Sequence, residues 1–443
     1  MNGGNHLRVL SVLLVFLIGF GSFSISASAE PLPPAVNDVG SVCVVNIEYG
    51  KTVYSLNADK LLFPAATAKL VTALVAERYF SGNLSTKIEI TSEMKAEFRG
   101  RVLGLATGEQ ITVESLLHAM LIGGYNDAAI ALAFAVSGNI ATFSDRMNEY
   151  IRTLGLQHTH YTNPTGLHDP AMVTTASDTA RVGAAIMAND TLFAITKKQK
   201  YVLPATNKSD EWTIYTRNAL ISSLVQEGYF YSYAAGINAG STDEAGECVV
   251  TSGKLDGLSY VCVVLGGSAT DKTNTALVAA KNALRYALSN FSVRLLKNKK
   301  QKITTLPVLY SATVEEVPVY MTDNLEALIL TGTDIDKEII FETNLLRTEL
   351  EAPFESGTVV GSIRAVDKNG NLLAETELMV SNTVEAHGFL VFMAKTKNFV
   401  TGKLFLVLLL LFLFLVLPAS VLLGKRFGKK RRPYRRLRFR DDD

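Results

Sequence analysis

An apolar run over residues 404–423 places the strongest constraint on the fold, because about 20 consecutive residues there carry no charge. A helix of that length spans the roughly 30 Å of hydrocarbon in a bilayer, and Pro418 is tolerated inside such a helix. Residues 424–443 then contain ten Lys or Arg against three Asp. That bias marks the cytoplasmic side of a membrane. The sequence therefore predicts one transmembrane helix at 404–423 and a basic cytoplasmic tail at 424–443.

Residues 1–29 have the pattern of a secretory signal peptide. Arg8 precedes an apolar run over residues 9–20, and residues 27–29 are the small residues of a cleavage site. A membrane anchor that is never cut is the alternative interpretation of this pattern. With cleavage, residues 30–403 are predicted to lie outside the cytoplasm on a protein held in the cell membrane by a single span.

The charge of the exported region argues against nucleic acid as a partner. The formal net charge of the chain is +1. Without the tail (about +7) and Arg8 (+1), it becomes about −7. Three cysteines are too few for a disulfide framework. Each lies in an apolar strand pattern, which favours buried free thiols over a bond between Cys248 and Cys262 at either side of a predicted hairpin.

The first part of the exported region, residues 30–295, is predicted to form an α+β domain. Strand patterns occur at both of its ends and helical patterns lie between them. The predicted elements are a hairpin at 41–57, helices at 63–80, 113–135 and 177–188, paired strands at 246–267 and a closing helix at 271–288. A domain of this size is expected to have two lobes.

A second, small all-β domain is predicted at residues 304–390. It follows a polar, basic break at residues 297–302 that is typical of a linker. The chain is β-rich after this break, and Asp367-Lys368-Asn369-Gly370 has the composition of a hairpin turn. The apolar stretch 390–397 carries interspersed lysines and is predicted to lie along the membrane surface before the span.

Four stretches of the first domain carry a family resemblance: FPAATAKLVTALV, LIGGYNDAAIALA, HYTNPTGLHD and AAGINAGSTDEAG. In this order and spacing, the exported region resembles the low-molecular-mass penicillin-binding proteins, which are serine-type D-alanyl-D-alanine carboxypeptidases. The resemblance implies a two-lobed penicillin-binding (β-lactamase-like) domain, a small β domain and a C-terminal membrane anchor. It also implies a peptidoglycan stem peptide as one possible ligand. No cofactor and no metal are predicted.

The first motif of that family, S-x-x-K, is incomplete in this chain. In the family the lysine accepts the proton of the serine hydroxyl as the oxygen attacks the peptide carbonyl. Lys69 matches the lysine, but Ala66 stands at the nucleophile position and its methyl group cannot be acylated. Thr67 is expected to point to the other side of the helix. A surviving lysine without a nucleophile is expected to reach the cleft solvent or to pair with a carboxylate.

The second motif, Ser-x-Asn, corresponds to Gly124-Tyr125-Asn126. The relay serine of the family is lost at Gly124, and a glycine there is expected to loosen the loop. Asn126 is retained, either as a substrate-binding amide or as an amide that caps the loop.

The third motif, Lys-Thr-Gly, corresponds to Asn238-Ala239-Gly240. In the family its lysine and threonine hold the terminal carboxylate of the substrate. Asn238 and Ala239 remove that cation and that hydroxyl, so the sequence predicts that selection for a free terminal carboxylate is lost. Gly240 survives and is expected to let a peptide approach the strand.

Four altered functional positions predict a catalytically inactive, membrane-anchored homologue that acts as a binding or scaffolding protein in the cell wall. One alternative is an active hydrolase with a relocated nucleophile, Ser241 or Thr242, which would need a base within reach. Another is an assembly partner of other proteins with no cleft ligand. Three histidines are clustered in the sequence: His158, His160 and His168. They are expected to lie in a surface turn rather than a metal site, since no Asp, Glu or His at helical spacing completes a set of metal ligands.

Overall fold

The computed structural model describes residues 32–420. The predicted signal peptide at 1–29 and the predicted basic tail at 424–443 lie outside the described residues. The chain forms two compact units: one extends to Ser292 and also includes Leu328–Gly332, and the other contains Val293–Ala327 and continues from Thr333.

The first unit is α+β, as predicted. Its strands are β1 Ser41–Asn46, β2 Thr52–Leu56, β3 Lys87–Glu89, β4 Gln110–Thr112, β5 Lys200–Leu203, β6 Trp212–Tyr215, β7 Ala234–Thr242, β8 Gly246–Leu255 and β9 Leu258–Gly267. Its helices are α1 Ala68–Phe80, α2 Ser92–Ala96, α3 Val113–Gly123, α4 Asn126–Ser137, α5 Ile140–Thr153, α6 Ala176–Ala188, α7 Asp190–Thr196 and α8 Thr275–Asn290.

A five-stranded antiparallel sheet in the order β2-β1-β9-β8-β7 organises this unit. The Ala- and Leu-rich face of α8 covers one side of the sheet and buries Ala280, Ala283 and Leu284 there. The other helices of this unit, α1 to α7, form a helical lobe. This lobe covers the other side of the sheet and shares one hydrophobic core with it. Helix α6 approaches the strands at Gly183, where an added Cβ would lie 2.8 Å from Val261 Cγ1. Strand β7 forms an edge of the sheet, so its outer backbone groups have no partner strand.

All three cysteines are free and buried, which confirms the sequence prediction. Cys43 and Cys248 lie in the core that includes the helical lobe, whereas Cys262 lies in the core beneath α8. Burial raises the pKa of the Cys43 thiol to about 11 and that of Cys248 to about 12. It raises the pKa of Cys262 as well.

The second unit is mainly β, which agrees with the predicted small β domain. From residue 291 the strands are β10 Phe291–Lys297, β11 Thr304–Leu309, β12 Glu316–Met321, β13 Leu325–Leu330, β14 Ile339–Leu345, β15 Leu350–Glu351, β16 Val359–Asp367 and β17 Leu372–Val380. Six of them form a sheet in the order β14-β16-β17-β12-β11-β15, and β10 pairs with β13. A short helix, α9, spans Ile335–Glu338. Residues 297–302, predicted as a linker, connect β10 to β11.

Two helices follow the β domain: α10 Gly388–Thr401 and a longer apolar helix that begins with α11 Lys403–Leu411. Within residues 32–420, one helix, Lys403–Ser420, is both long enough and apolar enough to cross a membrane. Its mean hydropathy is 2.6. The bent pair α4 and α5 passes the same test only when taken together, and it packs into the core of the first unit.

Candidate active-site cleft

The start of α1 places residue 66 at the cleft and holds it there through an unusual backbone. A 3-10 turn, Ala65–Thr67, leads into the helix. Ala65 has a φ of +46°, in the left-handed region that residues other than glycine rarely adopt. Gly166 packs directly on this turn, since an added Cβ would lie only 1.7 Å from the Ala65 carbonyl oxygen. Thr67 is buried and donates its hydroxyl to Pro64 O, so it does not replace the missing nucleophile.

Lys69 is buried beneath the cleft with only 3 % of its surface exposed. Its Nζ donates to the backbone carbonyl of Thr165 at 2.5 Å. Burial first, and then the charges of Arg217 and Arg101, lower the pKa of Lys69 to about 7. Lys69 therefore lines the cleft, but the hydrogen-bond partner of its Nζ is a carbonyl of the Asn163–Gly166 turn and not a carboxylate.

Gly124 ends a helix, a role that the sequence analysis did not predict. It ends α3 in the left-handed conformation, with a φ of +73°, and its N–H donates to Met120 O. A Cβ at this position would lie 2.9 Å from Arg217 Cδ. The glycine thus terminates a helix and makes room for an arginine side chain.

Asn126 begins α4 and is only 4 % exposed. Its Nδ2 donates to Arg99 O at 2.9 Å, and its backbone N–H donates to Arg101 O at 2.7 Å. The side chain therefore holds the 99–101 segment in place, as the loop-capping alternative predicted. It also lines the cleft, so a substrate contact through its Oδ1 stays a prediction.

The third-motif residues occupy consecutive positions of β7 but face different surroundings. Gly240 lines the cleft, and a Cβ on it would lie 2.6 Å from Ala66 Cβ, so the close approach of strand and helix requires glycine. Ala239 lines an adjoining pocket. Asn238 is 3 % exposed and lines neither pocket, and its buried Oδ1 has no hydrogen-bond donor among the described residues.

The structure brings Ala66, Lys69, Gly124, Asn126 and Gly240 together in a cleft of about 400 Å³. A second pocket of about 640 Å³, lined by Ala239, adjoins it. Arg101 and Arg217 line both pockets, as does Gly240. The predicted site residues except Asn238 therefore line two pockets that share Arg101, Arg217 and Gly240.

Sequence reasoning missed both arginines. Arg101 donates its Nε to Gly123 O at 2.7 Å and places its guanidinium 4.8 Å from the centre of the Tyr125 ring. Arg217 is half-buried, and within residues 32–420 its side chain has neither a hydrogen bond nor an ion pair. Burial, and then the charge of Arg101, lower its pKa. No motif marks either arginine, because only the fold brings them to the cleft.

The proposed replacement nucleophiles also line the cleft, but no base contacts them. Thr242 Oγ1 accepts a hydrogen bond from Ala245 N, and exposed Ser241 has no side-chain hydrogen bond among the described residues. The three histidines at 158, 160 and 168 are exposed. The part of the chain that the structure describes contains no group of three or more His, Cys, Asp or Glu able to hold a metal ion.

Comparison with known proteins identifies similar chains along nearly the whole length. Residues 28–269 match the family described as D-alanyl-D-alanine carboxypeptidase, and residues 291–386 match the penicillin-binding protein 5 C-terminal domain. The D-alanyl-D-alanine carboxypeptidase DacF of Bacillus subtilis is 27 % identical over 395 residues, which cover 88 % of this chain and 97 % of the relative. DacC of Escherichia coli is also 27 % identical, over 86 % of this chain and 93 % of the relative.

Solved structures share the fold. The crystal structure of penicillin-binding protein 5 from Haemophilus influenzae covers 80 % of this chain and 99 % of its own, with a TM-score of 0.62 and 24 % identity. The D-alanyl-D-alanine carboxypeptidase DacD from Francisella tularensis covers 83 % of this chain and 99 % of its own, also with a TM-score of 0.62 and with 22 % identity.

Proposed function

We propose, since the chain belongs to the D-alanyl-D-alanine carboxypeptidase family, that it is a catalytically inactive member which binds peptidoglycan stem peptides in the cell wall without cleaving them. One observation carries the proposal: Ala66 stands at the cleft where the acylated hydroxyl of the family would be. A methyl group has no electron pair for the attack on a peptide carbonyl.

The base survives although its nucleophile does not. A lysine with a pKa of about 7 is half-deprotonated at neutral pH and suited to take a proton. In this cleft Lys69 has no hydroxyl from which to take one. The relay serine is missing at Gly124 too. Binding and oxyanion stabilisation without a nucleophile give at best roughly 10³–10⁴-fold acceleration in a comparable triad system, which is too slow for wall turnover.

The elements that would bind a peptide are retained. Gly240 lines the cleft, and β7 is an edge strand with no partner strand on its outer side within residues 32–420. An extended peptide can add to such an edge through main-chain hydrogen bonds that require no particular side chain. Loss of the third-motif side chains therefore leaves this mode of binding intact.

We also propose that the segment 404–423 anchors the protein in the cell membrane, with the large domain outside the cytoplasm. The apolar helix Lys403–Ser420 supports this, because none of it is buried in the described protein and the one ring contact given for it joins Phe405 to Phe399 of the preceding helix. The anchor would then keep the peptide-binding cleft close to the membrane. There the protein would act as a scaffold that holds stem peptides of the cell wall.

The test is to incubate the full-length protein in mild detergent with a labelled penicillin and to measure its intact mass. We expect no covalent adduct. In parallel, calorimetric titration with a stem peptide that ends in D-Ala-D-Ala should show binding without release of D-alanine. A stoichiometric mass increase would instead indicate a relocated nucleophile, to be located with Ser241→Ala and Thr242→Ala. Absence of peptide binding would favour an assembly partner with no cleft ligand.

A further inference from the structure

Three basic side chains line the cleft: Lys69, Arg101 and Arg217. Among the described residues, Lys69 uses one of its three donors, on Thr165 O. Arg101 uses its Nε alone, and the Arg217 guanidinium uses none of its five. Most of the N–H donors of these three side chains therefore have no acceptor among the described residues.

The acidic residues nearby form no ion pair with these cations among the described residues, although the charge of Glu247 favours the charged form of Arg217. Asp243 and Glu244 line the cleft and are exposed to solvent, as is His168. Glu247 lines the adjoining pocket, where its Oε2 accepts from Asn274 Nδ2. Within residues 32–420, none of these carboxylates lies within 4.0 Å of a nitrogen of the three cations, since the ion pairs found lie elsewhere.

The altered motif positions provide room for a ligand beside these donors. Ala66 ends in a methyl group, and Gly124 and Gly240 have no side chain, so no hydroxyl or ammonium group from these positions occupies the centre of the cleft. The Arg217 side chain passes within 2.9 Å of the place where a Cβ of residue 124 would stand. A partly desolvated guanidinium without an acceptor is unfavourable, and an oxyanion is the acceptor that matches its fork of donors.

We propose that this vacated catalytic centre is an oxyanion site, in which Lys69, Arg101 and Arg217 together bind a carboxylate, sulfate or phosphate group. The inference rests on the proposed function, because it takes Ala66 to leave no serine hydroxyl at the nucleophile position as a partner for Lys69. The anion would be held by groups of the helical lobe and the segment before β7, and not by the third-motif positions Asn238 and Ala239.

Such a site binds its anion more tightly at low pH. Burial and the two arginines hold the pKa of Lys69 at about 7, so the lysine is charged below that pH and mostly neutral above it. A bound anion stabilises the ammonium and raises this pKa, so binding takes up a proton between the free and bound pKa values. Sulfate keeps its charge through this range, which makes it the suitable probe.

The experiment is a calorimetric titration of the full-length protein in detergent with sodium sulfate, at constant ionic strength, at pH 6 and pH 8.5. We expect the Kd to rise by about tenfold or more at the higher pH, because Lys69 loses its proton. Arg217→Gln should raise the Kd at pH 6 by about tenfold, and Arg217→Lys should raise it less. Lys69→Gln should abolish the pH dependence.

Arg99→Gln is the matched control. Arg99 is exposed next to the same segment, and its Nη1 bonds only the Ala96 and Phe98 carbonyls. This variant should bind sulfate like the unaltered protein. Thermal unfolding of each variant, compared with that of Arg99→Gln, separates lost binding from lost folding. An Arg217→Gln protein that is folded and binds sulfate with unchanged Kd would overturn the proposal, as would a wild-type protein that binds none.

A second arm distinguishes the source of the anion. A stem peptide with a free terminal carboxylate and its C-terminal amide are titrated with and without saturating sulfate. Competition by sulfate against the acid alone assigns the site to the peptide carboxylate. Sulfate binding without peptide binding supports a site for a free oxyanion while contradicting the proposed wall-peptide function. Peptide binding without sulfate binding contradicts the oxyanion site alone.

Discussion

The backbone around Ala66 at the cleft is held in one unusual conformation. Ala65 adopts a left-handed conformation that costs an L residue about 1–2 kcal/mol, and the turn around it packs against Gly166. Such strain persists where the surrounding structure enforces it, and it is typical of active sites. This strained turn is what presents the Ala66 side chain to the cleft.

Restoring the hydroxyl alone should not restore activity. In Ala66→Ser the serine would meet Lys69, but the relay hydroxyl at Gly124 and the carboxylate clamp at Asn238 and Ala239 would still be absent. Catalytic groups that act as a unit do not contribute additively. We expect D-alanine release from a D-Ala-D-Ala peptide to stay at the wild-type background. Turnover clearly above that background would mean that the second and third motifs matter less than we infer.

Reinstating the relay serine should carry a structural cost. Gly124→Ser places an L residue at a φ of +73° and its Cβ 2.9 Å from Arg217 Cδ. We expect the free energy of unfolding to fall by about 2–3 kcal/mol, from backbone strain and crowding together. Gly138→Ser is the control, since Gly138 has a φ of +77° with nothing within 4 Å of an added Cβ, and it should lose only about 1–2 kcal/mol.

Chemical denaturation of both variants measures the difference. Equal losses for the two would show that Arg217 moves aside freely, and that the glycine at position 124 serves only its backbone conformation.

At the scale of the element, residue patterns predicted the hairpin β1–β2, the broken helix pair α3–α4 and the paired strands β8–β9, because each follows from local periodicity and turn composition. The motif order also predicted which residues meet at the cleft, except that Ala239 lines the adjoining pocket and Asn238 lines neither. Arg101 and Arg217 could not be predicted, since their role arises from contacts between segments distant in sequence. The ordered turn at Gly124 was missed because a glycine in a sequence signals freedom and fixed left-handed geometry alike.

The contact between the Asn163–Gly166 turn and the start of α1 should be among the least tolerant in the molecule. Gly166→Ala would place a Cβ 1.7 Å from Ala65 O at a φ of +77°, so both segments would have to move. We expect a loss of about 3 kcal/mol or more in the free energy of unfolding. The control is Gly155→Ala, because Gly155 has a φ of +71° and nothing lies within 4 Å of an added Cβ. Its free energy of unfolding should fall by about 1 kcal/mol. Similar unfolding midpoints for the two variants would contradict this account.

At the scale of the whole molecule, the helix Lys403–Ser420 and the basic residues beyond it set the expected orientation. A protease added to intact spheroplasts should remove the large domain and spare an epitope placed after Asp443, because the lysine- and arginine-rich tail is predicted to stay inside. The same epitope should be lost after the membrane is permeabilised. Its loss without permeabilisation would reverse the orientation.

The three natural cysteines are buried, so thiol-directed labels are expected not to react with the unaltered protein. Alkylating reagents require an accessible thiolate, and the three cysteines are at most 1 % exposed, with raised pKa values. A cysteine introduced as Ala66→Cys would be the one reactive thiol among the described residues, close to the cationic side chains that promote thiolate formation. The rate at which this cysteine is alkylated, with and without a peptide or sulfate, would report whether the cleft is occupied.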